Sequence, residues 1–125
     1  MNSFKTVAVI GASSNRGKFG NKALRAFAAG GYTVFPINPT EAEVEGHKAY
    51  ASVLDVPVAI DLATIYVPGR VGAAVLDEIA KKGIPEVWLN PGADDREVVD
   101  KAGSLGLKTR QHCSIIAIGD SPSRY

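Results

Sequence analysis

The residues of this chain best placed to do chemistry lie in one short stretch, Gly11-Ala12-Ser13-Ser14-Asn15-Arg16-Gly17-Lys18-Phe19-Gly20. An apolar run, Val7–Ile10, leads into it and a helical pattern follows. A loop of small residues between a strand and a helix gathers backbone N–H groups and the positive end of a helix dipole around one point. The chemistry on offer is anion binding, with phosphate as the natural anion. Ser13 and Ser14 carry hydroxyls that can cap the helix, bond a phosphate, or do both. Arg16 and Lys18 stand beside the loop, either as phosphate partners or as solvated charges. The implied ligand is a nucleotide or a nucleotide-bearing cofactor.

Two familiar phosphate loops fit incompletely. In the dinucleotide fingerprint Gly-x-Gly-x-x-Gly, an acidic residue at the end of the second strand binds the ribose. Here Ser13 replaces the second glycine, and the third is displaced to Gly17 or Gly20. Asn38 stands where the acid belongs, so Glu41 or Glu43 supplies a ribose contact only if its loop folds back. The nucleoside-triphosphate loop Gly-x-x-x-x-Gly-Lys-[Ser/Thr] is approached at Gly17-Lys18. Ala12 replaces its first glycine and Phe19 its magnesium-holding hydroxyl, which argues against nucleotide hydrolysis.

Elsewhere the reactive residue types are scattered. His112 and Cys113 are adjacent, and in an extended segment they point to opposite faces, unsuited to a nucleophile–base pair. Cys113 is either a packing residue or a crevice thiol able to form a mixed disulfide with a thiol ligand. His47 falls in a polar loop, Asp61 opens a strand, and Asp94-Asp95 suit a helix start. Trp88 and Tyr66 belong to core or pocket wall, and Arg70 either meets a phosphate or is exposed. No spacing suggests a metal site or acid–base catalysis.

Alternating strands and helices position the loop. Strands are expected at Thr6–Ile10, Tyr32–Ile37, Ile60–Val67, Glu86–Leu89 and Leu107–Gln111. Between them come a helix over Lys18–Ala29 and one opened by Pro68-Gly69, with Val71, Val75, Leu76 and Ile79 facing inward. A third covers Asp94–Leu105. Thr40–Lys48 reads as an exposed loop and Tyr50–Val56 as a short helical turn. This alternation predicts an α/β fold, a single Rossmann-like domain over 1–125. About five parallel strands carry helices on both faces, in the spatial order 3-2-1-4-5. A ligand crevice then lies beyond the carboxyl ends of the strands, among Gly11–Gly20, Asn38-Pro39-Thr40, Pro68-Gly69-Arg70, Asn90-Pro91-Gly92 and His112-Cys113-Ser114.

Composition sets the outer bounds. The 125 residues are 46% hydrophobic and 22% charged, with a net charge of +1, so no strong field recruits nucleic acid or a membrane surface. One cysteine excludes an intrachain disulfide framework. A polar start and the lack of a long apolar run lead to the expectation of no signal peptide, no membrane span and a cytoplasmic setting.

Taken together, these motifs resemble a known family. Val9-Ile10-Gly11-Ala12-Ser13, Gly30-Gly31-Tyr32 before Pro36-Ile37-Asn38-Pro39, Val67-Pro68, Val87–Gly92, and Gly106-Leu107 leading to Cys113 are similar to the small CoA-binding proteins. These are related to the CoA-binding domain of the succinyl-CoA synthetase α subunit. The likeness runs from about Thr6 to Ile116, and its departure is Asn90, where relatives often carry Gln. It implies coenzyme A as ligand, with Gly11, Ala12, Ser13, Ser14, Asn15, Arg16, Lys18, Phe19 and Gly20 forming the diphosphate end. It further implies Asn38 and Pro39 near the adenosine, Val67 and Pro68 along the adenine or pantetheine path, and Asn90 and Gly92 closing the pocket. The expected function is binding of CoA or an acyl-CoA without catalysis. The alternative is a nicotinamide-dependent oxidoreductase or redox sensor, and a homodimer or protein partner is compatible with either.

Overall fold

The computed structural model describes residues 4–67 and 69–125; Pro68, one of the expected site residues, lies outside them. Five strands form a parallel sheet: β1 (Thr6–Ile10), β2 (Thr33–Ile37), β5 (Leu62–Ile65), β6 (Glu86–Leu89) and β7 (Lys108–Gln111). A separate antiparallel hairpin joins β3 (Glu43–Val44) to β4 (His47–Lys48). The helices are α1 (Phe19–Ala29), α2 (Gly69–Lys82), α3 (Arg96–Ser104) and the short α4 (Ser114–Ala117).

Side-chain alternation along the strands divides the core into two layers. Ala8, Ile10, Ala63, Ile65, Val87 and Leu89 pack against Leu76 and Ile79 of α2 and Val98 and Ala102 of α3. Val7, Val9, Leu62 and Trp88 face the other way, against Ala23, Leu24 and Phe27 of α1 and Ile115 of α4. Phe27 is fully buried and meets Tyr32 edge-on at 5.2 Å. Burial of such a side chain contributes about 1.5–3 kcal/mol.

The sheet runs β2-β1-β5-β6-β7. Counted as five long strands, that is 2-1-3-4-5, not the expected 3-2-1-4-5. The second strand is an edge, and Pro36 within it is the physical reason. Proline has no N–H to donate to a second ladder, so it belongs on an edge strand with that side outward. Thr33 and Ile37 bond toward β1, through Thr33 N to Lys5 O and Gly11 N to Ile37 O. Pro36 faces outward, where its carbonyl accepts from Tyr50 N. After β2 the chain therefore reverses direction across β1. Right-handed crossovers then put α1 on one face and α2 and α3 on the other. The reversal opens a crevice between the carboxyl ends of β1 and β5.

Thr40–Lys48 is not a plain exposed loop. Glu45 and Gly46 have φ of 50° and 80°, the left-handed pair that a two-residue hairpin turn requires. Val44 is fully buried and anchors the hairpin to the core. Val71 also departs from expectation: it is 44% exposed, at the start of α2, rather than turned into the core. The expected helical turn over Tyr50–Val56 appears as a 3-10 turn at Val53–Asp55, started by Ser52 Oγ accepting from Leu54 N.

Candidate functional site

The glycine loop is shaped by close backbone contacts. A Cβ on Gly20 would stand 2.5 Å from Gly11 O, and one on Gly11 would stand 2.8 Å from Tyr66 O. Gly11, at φ +93°, therefore lets the end of β1 pass the end of β5, and Gly20 lets α1 start against that turn. Gly17 meets nothing closer than Asn15 Oδ1 at 3.4 Å. The displaced third glycine of the fingerprint is thus Gly20.

The loop is braced from within. Ser13 Oγ accepts from Asn15 N at 2.9 Å, and Asn15 Oδ1 from Gly17 N at 3.0 Å. Asn21, fully buried on α1, donates through Nδ2 to Ser13 O at 2.7 Å and accepts from Arg25 Nε at 2.7 Å. Asn38 donates to Ala12 O at 3.0 Å. The start of α1 itself carries no side-chain cap: Lys18 occupies the N-cap position, and the first turn holds no acid. Its opening N–H groups are left to the crevice, the condition under which a helix start binds an anion.

That crevice encloses about 610 Å3. Gly11, Ser13, Lys18, Phe19 and Gly20 form one side, Asn38 and Pro39 a second, and Val67 and Gly92 close the far side. Nine of the fifteen expected site residues are thereby brought to one cavity. Tyr66, Pro91 and Ala93 line it as well and were not among them. A neighbouring apolar recess of about 160 Å3 shares Gly11, Pro39 and Val67 and is walled by Ile10, Ile37, Val53, Val71 and Val75.

Five of the remaining expected residues are placed differently. Ala12 is fully buried beneath the loop. Ser14 and Asn15 hold the loop's outer side. Arg16 turns to Glu45, Nε to Oε2 3.3 Å, with most of its side chain in solvent. Asn90 is 1% exposed. Its Nδ2 donates to Thr64 Oγ1 at 2.7 Å and Ile65 O at 2.9 Å, and its Oδ1 accepts from Ser114 N at 2.9 Å. It ties the ends of β5 and β6 to the start of α4. The Arg70 side chain lies outside the description.

The acidic segment after β2 folds back onto the loop. The Glu41 carboxylate accepts from Ser14 N at 3.0 Å and from Asn38 Nδ2 at 3.2 Å. Hydrogen bonds from the Ser14 side chain and backbone, with Lys18 nearby, hold its pKa below the usual glutamate value. Glu45, carried on the hairpin turn, accepts from Asn21 Nδ2 at 3.1 Å as well as pairing with Arg16. Asn21 was legible as a polar interruption in the apolar face of α1. The place of Glu41 depends on the Asn38 turn, in which Oδ1 accepts from Thr40 N at 2.9 Å and Glu41 N at 3.1 Å.

Tyr66, expected in core or pocket wall, lines the crevice. Its hydroxyl is buried and unbonded among the described residues, and burial raises its pKa well above the usual phenol value. His112 and Cys113 do not point to opposite faces: the strand ends at Gln111. His112 meets Trp88 edge-on at 4.8 Å, and Cys113, half-buried, joins the same layer. Cys113 is not among the residues lining the crevice. Among the described residues no cluster of His, Cys, Asp and Glu is fit to hold a metal, and no helix is long and apolar enough to cross a membrane.

A five-strand parallel sheet flanked by helices, with a glycine loop and an uncapped helix start at its switch point, defines an α/β domain of Rossmann type. Residues 5–119 match the family described as CoA binding domain, and the chain belongs to that family. It is 42% identical over 115 residues to the α subunit of acetate–CoA ligase [ADP-forming] II from Pyrococcus furiosus, covering 82% of this chain and 25% of that one. It is 46% identical over 80 residues to an acetate–CoA ligase [ADP-forming] from Methanocaldococcus jannaschii, covering 64% of this chain and 11% of the ligase. The chain thus spans about a tenth to a quarter of the length of these curated ligases. Among solved structures, a conserved hypothetical protein from Pyrococcus furiosus superposes with a TM-score of 0.84 at 32% identity, over 91% of this chain and 99% of that one. The dinucleotide-forming acetyl-coenzyme A synthetase 1 of Ca. Korarchaeum cryptofilum, in complex with phosphate and ADP, gives 0.74 at 34% identity, over 84% and 25%.

Proposed function

We propose that the crevice binds coenzyme A or an acyl-CoA, with the diphosphate at the uncapped start of α1, and that the chain performs no catalysis of its own. The observation carrying this reading is the convergence of orphan α1 N–H groups, Ser13 and Lys18 on one cavity in a chain of the CoA-binding family. The adjoining apolar recess, walled by Ile10, Ile37, Val53 and Val71, suits a flat ring such as adenine. Pro39 and Val67 line both spaces, so the adenosine lies along them. Among the described residues no acid–base pair lines the crevice, which favours binding alone. The relatives are ligases and a ligase subunit, so a partner carrying the chemistry is the setting we infer for this chain.

One observation favours a nicotinamide dinucleotide instead. Glu41 reaches the glycine loop and supplies the carboxylate missing at Asn38. Calorimetric titration with CoA and with NAD separates the two. The expected result is micromolar CoA binding, weakened roughly 5–10-fold in Lys18→Ala through loss of one charge-assisted phosphate contact. Binding of NAD without binding of CoA refutes the proposal.

A further inference from the structure

We infer that Glu78 of α2 selects the base in the apolar recess: its carboxylate accepts the exocyclic N–H of adenine and rejects a purine with a carbonyl there. The inference rests on the reading that the adenosine lies in this recess. It adds which base is recognised, and by which residue.

The helix sets the position. Val71, Val75 and Glu78 follow at intervals of four and three residues, so they share one face of α2, and all three line the recess. Ile37 at the end of β2 and Val53 of the 3-10 turn complete the apolar walls. Among the described residues that line this space, Glu78 is the one with an ionisable side chain. Apolar walls hold a flat ring by its faces and leave the groups on its edge unread. One polar side chain placed in such a wall fixes orientation and supplies specificity.

The carboxylate is held at one oxygen and free at the other. Ser52 Oγ accepts from Leu54 N at 3.1 Å, which leaves its own proton to be donated elsewhere. It donates that proton to Glu78 Oε1 at 2.6 Å. Lys82, one turn further along α2, donates to Val56 O, and no ion pair engages Glu78 among the described residues. Oε2 thus keeps its lone pairs for a ligand donor. An ionised carboxylate only accepts hydrogen bonds. Adenine offers a donor, its N6 amino group, whereas guanine and hypoxanthine carry the acceptor O6 at the same ring position. A carbonyl there would oppose two acceptors inside a partly buried slot. Losing a hydrogen bond to a charged group weakens binding by about ten-fold or more.

The test is calorimetric titration of the wild type, Glu78→Gln, Glu78→Ala and Asp77→Asn with CoA and with its hypoxanthine analogue, deamino-CoA. The wild type is expected to prefer CoA by about ten-fold or more. In Glu78→Gln the amide oxygen keeps the Ser52 bond and the NH2 group turns to the base, so deamino-CoA matches or overtakes CoA. Glu78→Ala brings the two affinities within about three-fold, since neither base then has a partner. Asp77 does not line the recess and pairs with Lys101 at 2.8 Å, so Asp77→Asn retains the wild-type ratio. A role confined to tying α2 to the 3-10 turn would move both affinities together and leave the ratio alone. Equal binding of the two ligands by the wild type, or a ratio unchanged in both Glu78 variants, overturns the inference and leaves the CoA proposal standing. Absence of binding by either ligand overturns the CoA proposal itself, and the inference with it.

Discussion

Gly20→Ala puts two opposed effects against each other at the start of α1. Alanine is favoured over glycine within a helix by about 1 kcal/mol. The new Cβ, however, would sit 2.5 Å from Gly11 O, 3.0 Å from Gly11 C and 3.3 Å from Ala12 Cα. All three are backbone atoms of the glycine loop, so no flexible side chain can swing aside. Relief demands a shift of the order of 0.5–1 Å between the helix and the loop, in a region where Ala12 and Gly20 are buried. Overpacking of this kind costs about 1–3 kcal/mol, and here backbone rather than side chain must move, which favours the upper half. The net expectation is destabilisation of about 1–2 kcal/mol. Gly103→Ala is the matched control. Gly103 lies in α3 with nothing within 4 Å of its Cβ position, so the propensity gain acts alone and stabilises by about 0.5–1 kcal/mol. Urea unfolding followed by Trp88 fluorescence measures both, since Trp88 is the one tryptophan and is 5% exposed between Phe4 and His112. Gly20→Ala as stable as the wild type would refute the close-contact argument.

Three further outcomes are expected. Asn90→Ala leaves Ser114 N and Ile65 O without their side-chain partner in a buried site and costs about 2–4 kcal/mol by urea unfolding; a loss under about 1 kcal/mol would remove Asn90 as the tie between strands. Asp61 accepts from Lys5 N at 2.8 Å and Thr6 N at 3.2 Å, which lowers its pKa. Its stabilising contribution is therefore complete above the unfolded-state value and is lost as pH falls below about 4; Asp61→Asn should show a correspondingly flatter stability profile in that range. Ser13→Ala removes the hydroxyl that accepts from Asn15 N and is expected to weaken CoA binding about 3–10-fold while lowering the urea midpoint only slightly; unchanged affinity would remove Ser13 from the site.

Much of the fold was legible because its signals are local. Continuous apolar runs marked β1, β2, β5 and β6, the polar β7 followed from its place after α3, and glycines after α1, α2 and α3 marked the returns. Strand order is not local, and the expected 3-2-1-4-5 failed although Pro36 inside the second strand was the signal for an edge. The hairpin at Glu43–Lys48 escaped because two-residue strands have no periodicity, although Gly46 supplied the turn signal. In the site, residues on the β1–α1 loop could be read from spacing, since strand, loop and helix are consecutive. Tyr66 could be read only as core or pocket wall and Ala93 not at all, because both reach the crevice through sheet pairing. Asn90 stands in the right loop, but its side chain points to Thr64, Ile65 and Ser114, a direction fixed by the neighbours that satisfy it. Glu41 needed the Asn38 turn to bring it to Ser14, a contact across 27 positions of sequence.

Backbone amide spectra of the 15N-labelled protein, recorded through a titration with CoA, test the central claim most directly. The claim places the diphosphate at the α1 start, so the largest saturable shifts should fall on Ser13, Lys18, Phe19 and Gly20, with Gly92 following across the crevice. Residues of α3 and β7, at the far edge of the sheet, should move little. Saturable shifts confined to that far edge, or no shifts at millimolar CoA, would contradict it.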